Sequence, residues 1–238
     1  MPFYGYGYGY RMMWDPTYIL IIVGALLSMW ASARVNSTFR RYAQVRSMTG
    51  MTGAEAAMRL LHSQGIYDVT VRQVRGHLTD HYDPRTKTVS LSEDIYGRNS
   101  LAAVGVAAHE CGHAIQDAIN YAPLNIRSAI VPAANIGSQL SWPLFIAGLI
   151  FSIDPLVTLG IVLFSLAVLF QLVTLPVEIN ASSRALKMLE STGILGADEK
   201  KGARKVLTAA ALTYVAALAA SILQLLRLII LAGGRDRD

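Results

Sequence analysis

The sequence predicts a mainly α-helical, polytopic membrane protein, with about four transmembrane helices and a small α+β portion outside the bilayer. Three observations predict this class. Hydrophobic residues make up 53% of the chain and charged residues only 16%, whereas a soluble domain carries about 25% charged residues. Four apolar runs reach or exceed the length of about 17 residues that is needed to cross a bilayer. A mixed polar segment, residues 34–129, separates the first run from the second.

The basic residues behind the net charge of +5 lie mainly beside the apolar runs. Nucleic-acid binding would favour basic residues interleaved with aromatic side chains, and the sequence has no such patch. We therefore expect the basic residues to set membrane topology, and we expect no nucleic-acid partner. Cys111 is the single cysteine, so no intramolecular disulfide forms and no oxidising compartment is needed.

The N-terminal residues predict a tail and a membrane anchor. Residues 1–16 are rich in Tyr and Gly, and their aromatic side chains suit a membrane surface. Residues 17–33 form the first apolar run, and residues 31–33 (Ala-Ser-Ala) resemble a signal-peptidase site. Only Arg11 precedes this run, whereas four arginines follow it, at positions 34, 40, 41 and 46. Positive charge after the run opposes export, so we predict an uncleaved anchor with its N-terminus outside.

The polar portion, residues 34–129, begins with a helix and a strand. Thr52 is followed three residues later by Glu55, the pattern of a capping box, which predicts a helix that runs to about Ser63. Valines at positions 69, 71 and 74 then predict a short strand.

The remainder of the polar portion predicts a hairpin and a second helix. Residues 78–92 alternate in character around an Asp-Pro-Arg turn at residues 83–85, which predicts a β-hairpin. Small apolar residues then predict a helix that begins at residue 99 or 100 and ends near residue 120.

Two further apolar runs, residues 130–153 and 156–176, are separated by only two residues. They predict a transmembrane hairpin over residues 130–176. Residues 177–204 follow and are polar, with helical periodicity.

Residues 205–234 form the last predicted span. It contains Arg227 near its end, where a long side chain can reach the interface, so we assign this arginine no catalytic role. Four spans with the N-terminus outside put residues 34–129 and 177–204 on the same side. These segments hold most of the Lys and Arg residues, and the positive-inside rule therefore places both in the cytosol.

The sequence around residue 109 reads A-A-H-E-C-G-H-A-I-Q. His109 and His113 are four residues apart, so a helix presents both imidazoles on one face, within reach of one zinc ion. Glu110 lies beside His109, where it can act as a general base toward water. A chance match is the alternative, but a buried His-Glu-His group is costly unless it has a role. Cys111 points away from this face.

A catalytic zinc ion usually has three protein ligands, so a third must come from elsewhere. Asp117 shares the helix face but lies about 12 Å along the axis from His109, and Asp154 lies on the opposite side of the predicted membrane. Four acidic residues remain as candidates: Glu178, Glu190, Asp198 and Glu199. We favour Glu178, because it follows Pro176 where the third predicted span reaches the cytosolic face. The alternative is that Glu178 is only an acidic residue near the N-terminus of a helix, where it interacts favourably with the helix dipole.

His81 and Tyr82 lie in the predicted hairpin, within the stretch Asp-His-Tyr-Asp-Pro. The stretch is consistent with turn chemistry alone, or with a sheet edge on which a peptide lies as an added strand. His81, Tyr82 and Arg184 are candidates for the donor that stabilises an oxyanion, and the sequence does not choose among them.

Six stretches of the sequence carry a resemblance to a known family. They are WDPTYILIIVGALLSMWAS, GMTGAEAAMRLL, LTDHYDPRTKTVSLS, AAVGVAAHECGHAIQ, LPVEINASSRAL and LTAAALTYVAALAA. They resemble the YugP-like neutral zinc metallopeptidases of bacteria, a membrane family within the gluzincin group. The resemblance implies a zincin-like cytosolic portion, with His109, His113 and Glu178 as zinc ligands and Glu110 as the catalytic base. The family often has Asp two residues after the third ligand, and here Asn180 stands in that place, so a carboxylate that would orient a ligand is missing or supplied elsewhere.

The sequence thus predicts a zinc metalloendopeptidase with one zinc ion per chain, in the plasma membrane of a bacterial cell. The active site faces the cytosol, and membrane or membrane-proximal polypeptides are the expected substrates. The main alternative is a non-catalytic membrane scaffold that holds zinc structurally, which needs four protein ligands and leaves Glu110 without a role. A channel or transporter subunit is a third alternative, but the spans lack the paired charges or broken repeats that would favour it.

Overall fold

The structure is a computed structural model that describes residues 15–234. Almost all of the predicted tail, residues 1–16, lies outside the described residues. The elements follow in the order α1 (Tyr18–Ala43), α2 (Gly53–Ser63), β1 (Thr70–Val74), β2 (His81–Asp83), β3 (Thr88–Ser92), α3 (Glu93–Tyr96), α4 (Leu101–Ala118), α5 (Ala122–Phe151), α6 (Asp154–Ser191) and α7 (Ala197–Gly233). The described chain is mostly helical, with a small three-stranded sheet of mixed strand directions.

Four helices, α1, α5, α6 and α7, are long and apolar enough to cross a membrane. This number agrees with the four spans that the sequence predicts. The helices also continue beyond the apolar runs, since α1 extends past residue 33 to Ala43 and α7 begins at Ala197, before residue 205. Extending a helix that already exists costs far less than starting a new one, so the polar flanks remain helical.

Helix α6 differs from the sequence prediction at Pro176. The sequence predicts that a span ends there and that a new helix begins near Glu178, but α6 runs through Pro176 from Asp154 to Ser191. A proline removes one backbone hydrogen bond, and long membrane helices tolerate this loss where neighbouring groups compensate. The chain turns later, at residues 192–196, where Gly193 has a φ of 65° that glycine adopts without strain.

The chain forms two compact units. Among the described residues, the apolar unit contains residues 15–29, Ala133–Leu169 and residues 216–234, and the site unit contains Trp30–Pro132 and Phe170–Val215. Within the apolar unit, a small buried core forms around Phe145, Val157 and Leu228. Many of its other large apolar side chains are exposed, as suits helices that face lipid.

Arg227 is buried within the apolar unit. Its guanidinium group lies 3.6 Å from the carboxylate of Asp15 and 4.6 Å from the ring centroid of Tyr18. The side chain is therefore paired with residues at and just before the start of α1.

The sheet of the site unit has the strand order β1-β3-β2. Every residue of the central strand β3 is buried, and β3 pairs in parallel with β1 and antiparallel with β2. The β2–β3 pair is the hairpin that the sequence predicts. Strand β2 lies at the edge of the sheet, so one side of its backbone is available for pairing.

Helix α2 starts at the capping box that the sequence predicts. The side chain of Thr52 accepts a hydrogen bond from the backbone of Glu55, and the carboxylate of Glu55 accepts one from the backbone of Thr52. The helix ends at Ser63, and Gly65 follows with a φ of 73°. These reciprocal bonds satisfy backbone donors that a helix start otherwise leaves without partners.

Helix α4 is the buried centre of the site unit. Its N-cap is Ser100, whose side chain accepts a hydrogen bond from the backbone of Ala103. A Cβ atom placed on Gly112 would lie 2.5 Å from the carbonyl oxygen of Ala181 in α6. Only glycine permits so close an approach, so Gly112 sets the distance between α4 and α6.

Candidate metal centre

His109 and His113 lie one turn apart on α4, and their ring centroids are 4.8 Å apart. Their side chains are 14% and 10% exposed, so both rings are largely withdrawn from water but remain reachable. The structure therefore places both imidazoles on one face of the helix, as the four-residue spacing predicts.

Glu178 reaches the two histidines from α6, and its side chain is 2% exposed. Its Oε2 lies 3.2 Å from Nε2 of His109 and 3.5 Å from Nε2 of His113. One donor atom from each of the three residues lies within 4.8 Å of the others. A tetrahedral zinc ion with bonds of about 2.0–2.1 Å holds its ligand atoms roughly 3.3–3.4 Å apart. Both distances from Glu178 fit that spacing, so the donor set suits one zinc ion.

The second nitrogen of each imidazole also has a partner. Nδ1 of His109 lies 3.1 Å from Oγ of Ser182, and Nδ1 of His113 lies 3.0 Å from Oε1 of Gln116. An amide oxygen only accepts hydrogen bonds, so Nδ1 of His113 carries the proton and its Nε2 keeps a lone pair for a metal. The hydroxyl of Ser182 can accept from His109 in the same way.

Asn180 completes the support behind His113. The side-chain nitrogen of Gln116 donates to the carbonyl oxygen of Val177 at 2.9 Å and to Oδ1 of Asn180 at 3.0 Å. Nε of Arg184 donates to the same Oδ1 at 2.7 Å. An amide oxygen thus accepts two hydrogen bonds at the position where the family resemblance leads one to expect a carboxylate.

Glu110 is buried beside the three donors, and burial raises the pKa of its carboxyl group. It lines two cavities. The polar cleft, of about 310 Å³, has mainly polar and charged walls, which include Asp80, His81, Tyr82, His109, His113, Arg127, Glu178 and Tyr214. The apolar cavity, of about 260 Å³, has mainly apolar walls, which include Val35, Val106, Val206, Leu207 and Ala210.

The other acidic residues that the sequence left as third-ligand candidates lie elsewhere. Glu190 and Asp198 form ion pairs with lysines of α7. Glu199 accepts a hydrogen bond of 2.7 Å from the backbone of Met48. Cys111 also faces away from the centre, since its sulfur contacts a backbone carbonyl of α2.

Two of the three candidate oxyanion donors, His81 and Tyr82, line the polar cleft, and Arg184 does not. The hydroxyl of Tyr82 donates to Asp117 at 2.8 Å, and burial together with this bond raises the pKa of the phenol. Nδ1 of His81 lies 2.9 Å from the carbonyl oxygen of Thr79. Each of these side chains therefore already has a partner within the chain.

Arg127 and Tyr214 also line the polar cleft, and sequence reasoning did not identify them. Nη1 of Arg127 lies 3.4 Å from Oε1 of Glu178. Tyr214 lines both the polar cleft and the apolar cavity. Each stands in or beside an apolar run, where hydropathy indicates only a span. A polar side chain within such a run is itself the signal that could have drawn attention to them.

Comparison with known proteins connects this geometry to a family. A family model described as "Putative neutral zinc metallopeptidase" matches residues 17–233. The chain is 48% identical over 223 residues to "Putative membrane protease YugP" of Bacillus subtilis (strain 168), an alignment that covers 93% of this chain and 99% of that protein. No solved structure matches the chain. Because the family model and the relative both cover nearly the whole chain, the protein belongs to this family of neutral zinc metallopeptidases.

Proposed function

We propose that this protein is a zinc metalloendopeptidase that hydrolyses peptide bonds of membrane or membrane-proximal proteins, with one zinc ion per chain. The observation that carries the proposal is the convergence of His109, His113 and Glu178, with Glu110 on the wall of the same cleft. Three protein donors leave one position of a tetrahedral ion open, as catalytic zinc requires. A structural site in a scaffold would need a fourth protein donor.

Zinc held by these donors would supply Lewis acidity, which acidifies water and polarises the scissile carbonyl. Glu110 takes a proton from the attacking water and passes it to the leaving amine. This side chain is 7% exposed, so the transferred proton stays within the site between the two steps. Gln116 and Ser182 hold the two imidazoles in position throughout.

The developing charge on the carbonyl oxygen needs a hydrogen-bond donor. We assign this role to Tyr214, with Arg127 beside it, because both line the polar cleft. The hydroxyl of Tyr82 is already committed to Asp117. Arg127 pairs with Glu178, and the hydroxyl of Tyr214 interacts with the same carboxylate, so zinc content is measured beside activity when either residue is changed.

The edge strand β2 offers a binding surface for the substrate backbone. His81 and Tyr82 of this strand line the polar cleft, and an extended peptide can add to a sheet edge through main-chain hydrogen bonds. The apolar cavity also reaches Glu110. We infer that it takes an apolar side chain next to the scissile bond.

The length of α6 supports a site at the membrane surface. The helix has 38 residues, so it is about 57 Å long at 1.5 Å per residue, whereas the hydrocarbon core is about 30 Å thick. About twenty residues from Asp154 cross that core, and Glu178 lies just beyond them. Together with the excess of basic residues in the polar segments, this supports an active site on the cytosolic side of a bacterial plasma membrane.

The proposal is tested with detergent-purified protein and an unfolded test protein as substrate. Wild type, Glu110→Gln and the control Glu190→Gln are compared for zinc content and for cleavage. We expect all three to hold zinc, and we expect Glu110→Gln alone to lose at least about a hundredfold in rate, because the general base is missing. Zinc in every sample without cleavage of soluble or membrane-anchored substrates would favour the scaffold, and absence of zinc from wild type would refute the metal centre.

A further inference from the structure

A cavity of about 490 Å³ lies between α1 and α7 within the site unit. Its walls carry four cationic side chains, Arg34, Arg41, Arg204 and Lys205. We call it the basic pocket. Hydroxyl groups of serine, threonine and tyrosine complete the polar part of the wall, and Ala209 adds an apolar part. The basic pocket shares no lining residue with the polar cleft or the apolar cavity.

Helical spacing explains why these cations converge. Arg34 and Arg41 are seven residues apart, which is about two turns of α1, so both point to the same side of the helix. Thr38 lies between them on that side. On α7, Arg204 and Thr208 are one turn apart and share a face in the same way. Two helices thus direct their basic faces into one space.

In the described part of the chain, none of the four cations of the basic pocket forms an ion pair, although Glu190, outside the pocket, interacts with Arg204 at longer range. The ion pairs near the start of α7 are made by Lys200 and Lys201, which pair with Glu190 and Asp198. No acidic side chain is among the residues that line the basic pocket. Four like charges around one cavity repel each other unless an anion occupies it.

The basic pocket lies where apolar sequence meets charged sequence on both helices. In α1 the apolar run ends at residue 33, directly before Arg34, and in α7 the apolar run begins directly after Lys205. Leu212 continues the wall into the apolar part of α7. A ligand that fits both parts has an anionic head group attached to hydrocarbon.

We propose that the basic pocket binds the phosphate group of an anionic phospholipid, with the acyl chains against the apolar parts of α1 and α7. Basic pockets between membrane helices recognise anionic head groups, and guanidinium groups bind phosphate through paired hydrogen bonds. The positive-inside rule alone explains why these cations lie on one side of the bilayer, but it does not require them to surround one cavity.

The test uses the full-length protein in detergent and counts bound lipids by native mass spectrometry. The probes are dioctanoyl phosphatidylglycerol and dioctanoyl phosphatidylcholine, which share acyl chains and phosphate but differ in net charge. The pocket variant is Arg41→Gln/Lys205→Gln, with one change on each helix. The control variant is Arg40→Gln/Arg46→Gln, which removes the same charge from exposed positions outside the pocket. Zinc content and melting temperature confirm that both variants are folded.

We expect wild type and the control variant to bind phosphatidylglycerol in preference to phosphatidylcholine. The pocket variant should bind phosphatidylglycerol roughly thirtyfold more weakly, the factor expected when two cations are lost at an anionic surface. Equal binding by the two variants, or equal binding of the two lipids by wild type, would overturn the proposal.

The free phosphate ion is the alternative ligand for the basic pocket, and inorganic phosphate is used to test it. It is added at millimolar concentration, against sodium chloride of equal ionic strength to match the screening of charge. We expect phosphatidylglycerol to stay bound in both solutions. Selective displacement by phosphate would overturn the lipid assignment and indicate a site for the free ion.

Discussion

Replacing Gly112 by alanine adds one methyl group where α4 packs against α6. The new Cβ would lie 2.5 Å from the carbonyl oxygen of Ala181, and 3.0 and 3.1 Å from its carbonyl carbon and Cα. These are backbone atoms of a helix and cannot rotate aside. Ordinary van der Waals contact begins at about 3.4 Å, so the backbones must move apart here by about 0.9 Å.

The expected effect of Gly112→Ala on folding is small, because two contributions oppose each other. Overpacking costs about 1–3 kcal/mol, whereas alanine favours a helix over glycine by about 1 kcal/mol. The effect on the metal centre is larger. Glu178 lies one turn before Ala181 on α6, and zinc ligand distances tolerate a deviation of only about 0.2 Å. We expect zinc affinity to fall by a factor of about 10 to 100, the loss that misplaced ligands cause.

The assay is zinc affinity by chelator competition, with thermal unfolding measured on the same samples. The matched control is Gly105→Ala on the same helix, whose Cβ would lie at an ordinary 3.4 Å from Cβ of Ala203 in α7. We expect Gly105→Ala to retain wild-type zinc affinity. If Gly112→Ala binds zinc as tightly as Gly105→Ala, the packing of α4 on α6 does not position Glu178 and the reasoning is wrong.

Three further predictions concern the walls of the site. Gln116→Leu should lower zinc affinity about 10- to 100-fold, because Nδ1 of His113 loses its acceptor. The control Gln116→Glu keeps an acceptor. If the chelator assay gives these two variants the same zinc affinity, the bond to His113 does not support the metal centre. Tyr214→Phe should lower kcat about 100-fold with zinc retained. Tyr82→Phe should change kcat only a few-fold, because the hydroxyl of Tyr82 donates to Asp117. A larger loss of kcat in Tyr82→Phe than in Tyr214→Phe would show that Tyr82 is the oxyanion donor. Ala210→Phe should fill part of the apolar cavity and raise KM for peptides with a large apolar residue at the scissile bond. The KM for peptides with alanine at that position should not change. An equal rise in KM for both kinds of peptide would mean that this cavity does not select a side chain.

Features that depend on neighbouring residues could be predicted from the sequence. The capping box of Thr52 and Glu55, the hairpin over residues 78–92 and the shared face of His109 and His113 all follow from spacing within a few residues. The prediction of Glu178 as a ligand depends instead on where a membrane span ends. The structure brings Glu178 to the histidines, but within a continuous helix rather than at the start of a new one.

The supporting residues could not be predicted, because each depends on contacts between distant parts of the chain. Ser182 meets His109 across 73 positions, and Gln116 meets Asn180 across 64. No periodicity relates such pairs. Tyr214 was hidden for a different reason, since an apolar run suggests a lipid-facing helix and does not reveal which side faces a cleft.

The contact between Gln116 and Asn180 has a consequence for the electronic character of the site. A carboxylate that accepts the Nδ1 hydrogen of a ligating imidazole would attract that proton strongly and make the ring a stronger electron donor to the metal. The neutral amide of Gln116 orients His113 with much less of that effect, and the second amide of Asn180 adds no charge. Neither amide titrates, so the acceptor behind His113 keeps the same charge at every pH, whereas a carboxylate in its place would lose its charge in acid.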